Sequence, residues 1–248
     1  MLGLTGCGRG DGTQGALPES DGTGDITVFA AASLTEAFTE IGKNFESTHP
    51  GMTVRFNFAG SSTLAQQIVR GAPAGVFASA NPAQMRKVVD AGRVVDGPAV
   101  FVRNSLQIVV PAGNPANVTG LADFGKEDLA IAICAEQVPC GAASREAFEA
   151  AGVTPAADTL EQDVKGVLTK VALGEADAGL VYRTDVSSAG GDVAGIDFRE
   201  LAQAVNDYPI AALTDAPNPA AARVFLDYVR SSHGRRVLAE SGFVTVAP

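Results

Sequence analysis

ITVFAAAS (Ile26–Ser33) and MTVRFNFAGS (Met52–Ser61) decide how this chain folds. The first is a short apolar run, the mark of a strand buried on both faces. The second alternates Met52, Val54, Phe56 and Phe58 with Thr53, Arg55 and Asn57, the period of a strand. Between them lies LTEAFTEIGKNFES (34–47), in which Leu34, Phe38, Ile41 and Phe45 fall on one helical face before Pro50-Gly51 breaks the chain. After the second run comes STLAQQIVRG (62–71), a helix with Leu64, Ile68 and Val69 facing inward and Gly71 as its stop. Each strand therefore ends on a serine that opens a helix. A hydroxyl there sits beside unpaired backbone N–H groups and the positive end of the helix dipole. One such serine is an ordinary N-cap. Ser33 and Ser61 together point to a pocket for a small oxyanion.

The alternation continues outward from these segments. Val76–Ala80 reads as a strand, and Asn81-Pro82 as the cap and first residue of a helix carrying Met85, Val88 and Val89. Leu106–Val110, Leu129–Ile133, Ala178–Tyr182 and Ile210–Leu213 read as strands. Ala142–Ala151, Asp163–Leu173, Pro219–Arg230 and His233–Glu240 read as helices. Alternating strands and helices make parallel sheets covered on both faces, with ligands at the carboxyl ends of the strands. Ser33 and Ser61 fall there, and the junctions at Cys140-Gly141, at Gln162-Asp163 and at Tyr182 are comparable.

Composition narrows the class. The chain has 248 residues, 46% of them hydrophobic and 19% charged, which suits an α/β protein of one or two domains. A net charge of −10 disfavours nucleic acid and anionic membranes as partners. It also repels an anion at long range, so local donors must supply the affinity. Salt at physiological strength screens the far field beyond roughly 8 Å. No apolar run is long enough to span a bilayer.

Cys134 and Cys140 lie close together in AICAEQVPCG. In an exported protein such a pair is expected as a disulfide rather than a metal site, since His49 and His233 are the only histidines and both are distant; two free thiols are the alternative. Leu4-Thr5-Gly6-Cys7 resembles a bacterial lipobox, and residues 8–25 read as a flexible tether rich in Gly, Asp, Ser and Thr. Lipidation at Cys7 is the expectation. Only six residues precede it, so either the true start lies upstream or the match is fortuitous.

In their order, FAAASLTEAF, FAGSSTLAQQI, AGVFASAN, VPCGAASREAF, QDVKGVL and AGLVYRTD resemble the molybdate-binding proteins of bacterial ABC importers, from about Ile26 to Phe243. The resemblance implies the α/β type II periplasmic binding protein fold: two lobes, each a mostly parallel sheet flanked by helices. Lobe 1 would comprise 26–104 plus 209–248 and lobe 2 105–208, after a tether over 1–25. It implies a tetrahedral oxyanion, molybdate and also tungstate, held in the cleft by Ser33, Ser61 and Tyr182 hydroxyls and by the backbone N–H groups of Cys140 and Val164. The position of Cys140 is often alanine in that family, and a backbone donor is indifferent to the change. No cofactor and no bare metal ion are implied. The partners would be ABC permease subunits, the membrane only through a lipid anchor, and the chain a monomer outside the cytoplasm.

A tetraoxo dianion only accepts hydrogen bonds, so an all-donor shell without Lys or Arg suits it. Two other readings stand beside this one. A serine hydrolase needs a base beside its nucleophile, and no G-x-S-x-G elbow is present. A sensor or sulfate-like anion binder would keep the same fold without molybdate transport. Arg183 reads as a solvated surface residue.

Overall fold

The computed structural model describes residues 24–200 and 204–246. Cys7 lies outside them. The first half runs β1 (Gly24–Ala31), a 3-10 turn (Ala32–Leu34), α1 (Thr35–Thr48), β2 (Met52–Ala59), α2 (Ser61–Val69), β3 (Val76–Ala78) and α3 (Pro82–Asp90). The chain then enters β4 (Ala99–Pro111) and builds β5 (Ile131–Cys134), α4 (Pro139–Ala151), β6 (Thr159–Glu161), α5 (Val164–Ala172), β7 (Ala178–Tyr182), α6 (Arg183–Ser188) and β8 (Val193–Ile196). It returns through β9 (Val205–Ala212) to α7 (Pro219–Arg230), α8 (Ser232–Glu240) and β10 (Val244–Thr245).

The strands form one mixed path, β2-β1-β3-β9-β4-β7-β5-β6, with β8 and β10 also paired to β4. β2, β1 and β3 are mutually parallel, as are β7, β5 and β6. The antiparallel strands β9 and β4 lie between the two parallel groups. β4 serves both: Ala99–Ser105 pairs with β9, and Leu106–Pro111 pairs with β7 and β8. The passage between halves thus falls between Ser105 and Leu106. β9 runs unbroken through residue 209, where the sequence reading returns the chain to its first half; Val205–Tyr208 pairs with β4.

Each half has its own apolar packing. In the first, Phe38 meets Phe56, Phe101 and Phe225 edge to face with centroids 6.0 to 6.4 Å apart. In the second, Phe124 packs on Phe148 across α4, and Val109, Leu180 and Val167 are fully buried. On α2 of the first half, Ile68 packs with Phe29, Leu64 and Phe77 as expected, but Val69 does not face inward, being 39% exposed. One residue further along a helix turns the side chain by about 100°. The expected helix Ala142–Ala151 begins earlier, at Pro139, because proline is favoured at a first helical position.

Candidate functional site

One cavity gathers residues from both halves. Ala31, Ala32, Ser33, Gly60, Ser61 and Ala80 line it from the first; Val138, Pro139, Cys140, Asp163, Val164 and Tyr182 line it from the second. All five positions expected from the sequence are among them. Its volume is about 20 Å³, measured as space open to the centre of a water-sized sphere. That is room for one small anion.

Helix starts surround it. Ser61 is the first residue of α2, Cys140 the second of α4, and Val164 the first of α5. The earliest N–H groups of a helix have no intrahelical acceptor. In α4 the first bonded amide is Ala142, to Val138 O, which leaves those of Cys140 and Gly141. In α5 the Asp163 carboxylate caps Gly166 N–H, leaving Val164 N–H. Cys140 is held in place by its disulfide to Cys134 on β5. Gly141 permits that geometry, since a Cβ there would lie 2.0 Å from Ala135 O.

Neither serine is an N-cap, which corrects the ordinary reading of both. Ser33 lies inside the 3-10 turn, with Leu34 before α1, and Gly60 rather than Ser61 precedes α2. Their hydroxyls are engaged otherwise. Ser61 Oγ accepts Ala80 N–H at 3.0 Å. Ser33 Oγ meets the Tyr208 hydroxyl at 2.9 Å. Tyr182 Oη accepts from Asn206 Nδ2 at 2.7 Å. Ser61 and Tyr182 each have a lone pair filled by the protein, so the hydroxyl hydrogen is left for the cavity. At Ser33 the bond to Tyr208 can run in either direction, since each hydroxyl can donate or accept. Burial pushes the Tyr182 and Tyr208 hydroxyls well above the usual tyrosine range, so both remain protonated donors.

Tyr208 and Asn206 were not singled out by sequence. Tyr208-Pro209 reads as the approach to the strand Ile210–Leu213, and only the pairing of β9 with β4 brings Tyr208 to Ser33 and Asn206 to Tyr182. Tyr208 is completely buried, with its ring edge-on to Tyr182 at 5.8 Å.

Asp163 lines the cavity with its carboxylate bonded to Gly166 N–H, and the other charged groups stand behind this shell. Asp185, fully buried at the start of α6, accepts Tyr182 N–H at 3.2 Å and lies 3.0 Å from Lys165 Nζ. Burial pushes the Asp185 carboxyl up to about 6 even against the pull of Lys165. For Lys165, burial works to lower the value, but Asp185 and Glu36 outweigh it and the net direction is up. Both partners rise because Asp185 is much the more deeply buried of the two. Arg183 pairs with Asp197 at 2.6 Å in its own half, as a surface arginine would. His49 stacks on Phe45 and His233 packs against Tyr228, so neither histidine lines the cavity. Among the described residues no cluster of His, Cys, Asp and Glu is arranged to hold a metal ion, and no helix is long and apolar enough to cross a membrane.

Known proteins share this sequence and this architecture. Residues 26–244 match the family model of bacterial extracellular solute-binding proteins. The molybdate-binding protein ModA of Mycobacterium tuberculosis is 44% identical over 243 residues, covering 98% of this chain and 93% of the relative. ModA of Escherichia coli is 35% identical over 237 residues, 89% of each. The periplasmic molybdate-binding protein of Azotobacter vinelandii superposes with a TM-score of 0.76 at 20% identity, over 90% of this chain and all of that one. The sulfate-binding protein SubI of M. tuberculosis superposes with a TM-score of 0.77 at 16% identity, over 90% of this chain and 88% of its own, a likeness of fold. The chain belongs to the bacterial extracellular solute-binding protein family and, within it, is of the ModA type.

Proposed function

We propose that this chain captures molybdate, and tungstate with it, in the cavity between its halves and hands the anion to the permease of an ABC importer. The observation that carries this is the convergence of Ser33, Ser61, Cys140, Val164 and Tyr182 on one anion-sized room, three of them through hydroxyls and two through backbone N–H groups. The ModA relatives named above support the choice of molybdate.

The energetics are adequate without a cation in the shell. Each hydrogen bond to a charged acceptor contributes about 1.5–3 kcal/mol, and each helix terminus about 0.3–1 kcal/mol. Five donors then supply on the order of 10 kcal/mol gross, part of which desolvation and closure offset. Micromolar affinity needs about 8 kcal/mol. The net charge of −10 acts at long range and is screened.

Discrimination follows from the hydroxyl partners. Hydrogen phosphate carries an O–H that needs an acceptor. A rotatable hydroxyl would ordinarily turn to provide one. Here Ala80 N–H and Asn206 Nδ2 each take one acceptor position on Ser61 and Tyr182, which reduces their capacity to accept from the ligand without abolishing it. A fully deprotonated tetraoxoanion is favoured accordingly. Sulfate meets the same donors and is the smaller anion, so the titration below compares the two directly.

A hydrolase reading has less support, since Ser33 bonds a tyrosine and Ser61 a backbone amide, with no histidine beside either. The chain is proposed to act as a monomer outside the cytoplasm, tethered through lipidated Cys7. Calorimetric titration with molybdate, tungstate, sulfate and phosphate tests the assignment. Molybdate and tungstate are expected to bind at micromolar or tighter Kd and phosphate far more weakly. Equal affinity for all four would refute the proposed basis of selection, and no heat with molybdate would refute the function.

A further inference from the structure

Lys165 follows Val164 in α5, and its ammonium reaches out of its own half. Nζ lies 2.8 and 3.0 Å from the two carboxylate oxygens of Glu36, in the first turn of α1. On its own side it lies 3.0 Å from Asp185 Oδ1 and 3.5 Å from Ser188 Oγ. The Asp185 side chain is 0% exposed and that of Lys165 26%, whereas Glu36 is 49% exposed. Every other ion pair among the described residues joins groups within one half or along the β4–β9 pairing. Glu36–Lys165 alone ties α1 of the first half to α5 of the second.

The placement bears directly on the cavity. Glu36 stands one helical turn after Ser33, Lys165 is the neighbour of Val164, and Asp185 holds the backbone N–H of Tyr182. A single cation therefore braces elements that carry three of the cavity residues. The contact with Asp185 lies within the second half, while the bond to Glu36 crosses from one half to the other.

We propose that Lys165 is a positioning residue that latches the closed cleft through Glu36, and so sets how long the bound anion is retained. Its binding readout rests on the oxyanion reading above; its closure readout does not. Because Glu36 is half exposed, the latch is a modest one, worth what an exposed pair is worth. It acts on escape rather than capture, since an incoming anion enters while the pair is apart.

The test uses the full chain and Glu36→Gln, which leaves the buried Lys165–Asp185 pair intact and so spares the fold. Stopped-flow release of molybdate is expected to be about two- to five-fold faster than in the native chain, with the association rate and the ligand-free melting temperature unchanged. Lys165→Arg keeps the cation and is expected to stay near the native release rate. Molar salt is expected to bring the native rate up to that of Glu36→Gln. Release from Glu36→Gln at the native rate overturns the latch. Should the native chain take up no molybdate, the functional reading fails, and small-angle scattering of the ligand-free proteins decides the latch by itself. A larger radius of gyration for Glu36→Gln supports it, and identical radii overturn it.

Discussion

Gly60 offers the sharpest perturbation of the closed cleft. It precedes α2 with φ −56° and ψ 134°, a conformation open to any residue, so its backbone does not require glycine. Its surroundings do. A Cβ on Gly60 would lie 2.3 Å from Gln162 O and 3.5 Å from Asp163 Cβ, across the cleft in the second half. Ordinary contact begins near 3.4 Å, so Gly60→Ala forces the two backbones apart by roughly 1 Å. A rigid separation of that size stretches hydrogen bonds from near 2.9 Å to beyond useful range. The anion then keeps the donors of one half and loses two or three from the other. At about 1.5–3 kcal/mol each, the loss is about 3–9 kcal/mol, on the order of a hundred- to a million-fold in Kd. The ligand-free fold is expected to change little, since alanine in place of glycine before a helix costs only about 0.5 kcal/mol. Titration calorimetry beside thermal unfolding measures both quantities. Molybdate affinity within three-fold of native in Gly60→Ala would refute the reasoning, because the halves would then not need to approach this closely.

Other outcomes follow from the same contacts. Ser61→Ala is expected to weaken molybdate binding by about 1–3 kcal/mol and also to lower stability by about 1 kcal/mol, because the buried Ala80 N–H loses its acceptor; calorimetry and melting check both. Tyr208→Phe removes the buried hydroxyl that bonds and orients Ser33, so molybdate binding should weaken by about 1 kcal/mol, as calorimetry would show. Reducing Cys134–Cys140 should lower stability by about 2 kcal/mol and weaken binding a few-fold by loosening the Cys140 amide, as titration with and without reductant would show. The Lys126 ammonium and the Thr119 and Gly120 amides hold the Asp123 carboxyl down to about 2. A depressed carboxyl stabilises the fold above its ordinary range and loses that contribution as pH falls through its folded value. Asp123→Asn should therefore cost about 1–2 kcal/mol at pH 7, and the difference from native should vanish as unfolding is followed from pH 4 down to pH 2.

Much of the fold is legible in the chain because its buried strands are short apolar runs and its helices show one apolar face. Ile26–Ala31 and the Leu34, Phe38, Ile41, Phe45 stripe become β1 and α1 with little change. The crossing strand is less legible. Only Leu106–Val110 of β4 reads as a strand, since Arg103, Asn104 and Ser105 interrupt the apolar pattern where the strand passes between halves. β6 escapes notice because Thr159–Glu161 is a polar edge with Leu160 60% exposed, and no period can register in a strand that short. Ser33 and Ser61 could be named because hydroxyls at strand–helix junctions leave a local trace, whereas Cys140, Val164 and Tyr182 could be named through the motifs that resemble the family. Their supports could not: Tyr208, Asn206 and the Ala80 amide reach Ser33, Tyr182 and Ser61 from residues 19 to 175 positions away. Only the assembled sheet reveals that the Ser61 and Tyr182 hydroxyls accept from the protein and keep their hydrogens to donate.

The most direct test is a crystal structure of the chain grown with molybdate, using anomalous scattering from molybdenum to locate the metal centre without assumption. The account predicts a single strong peak between the Ser33 and Ser61 hydroxyls on one side and the Cys140 and Val164 amides on the other, with an anion oxygen within hydrogen-bonding distance of each and of Tyr182. A peak elsewhere, or an anion bonded through lysine or arginine side chains, would contradict it.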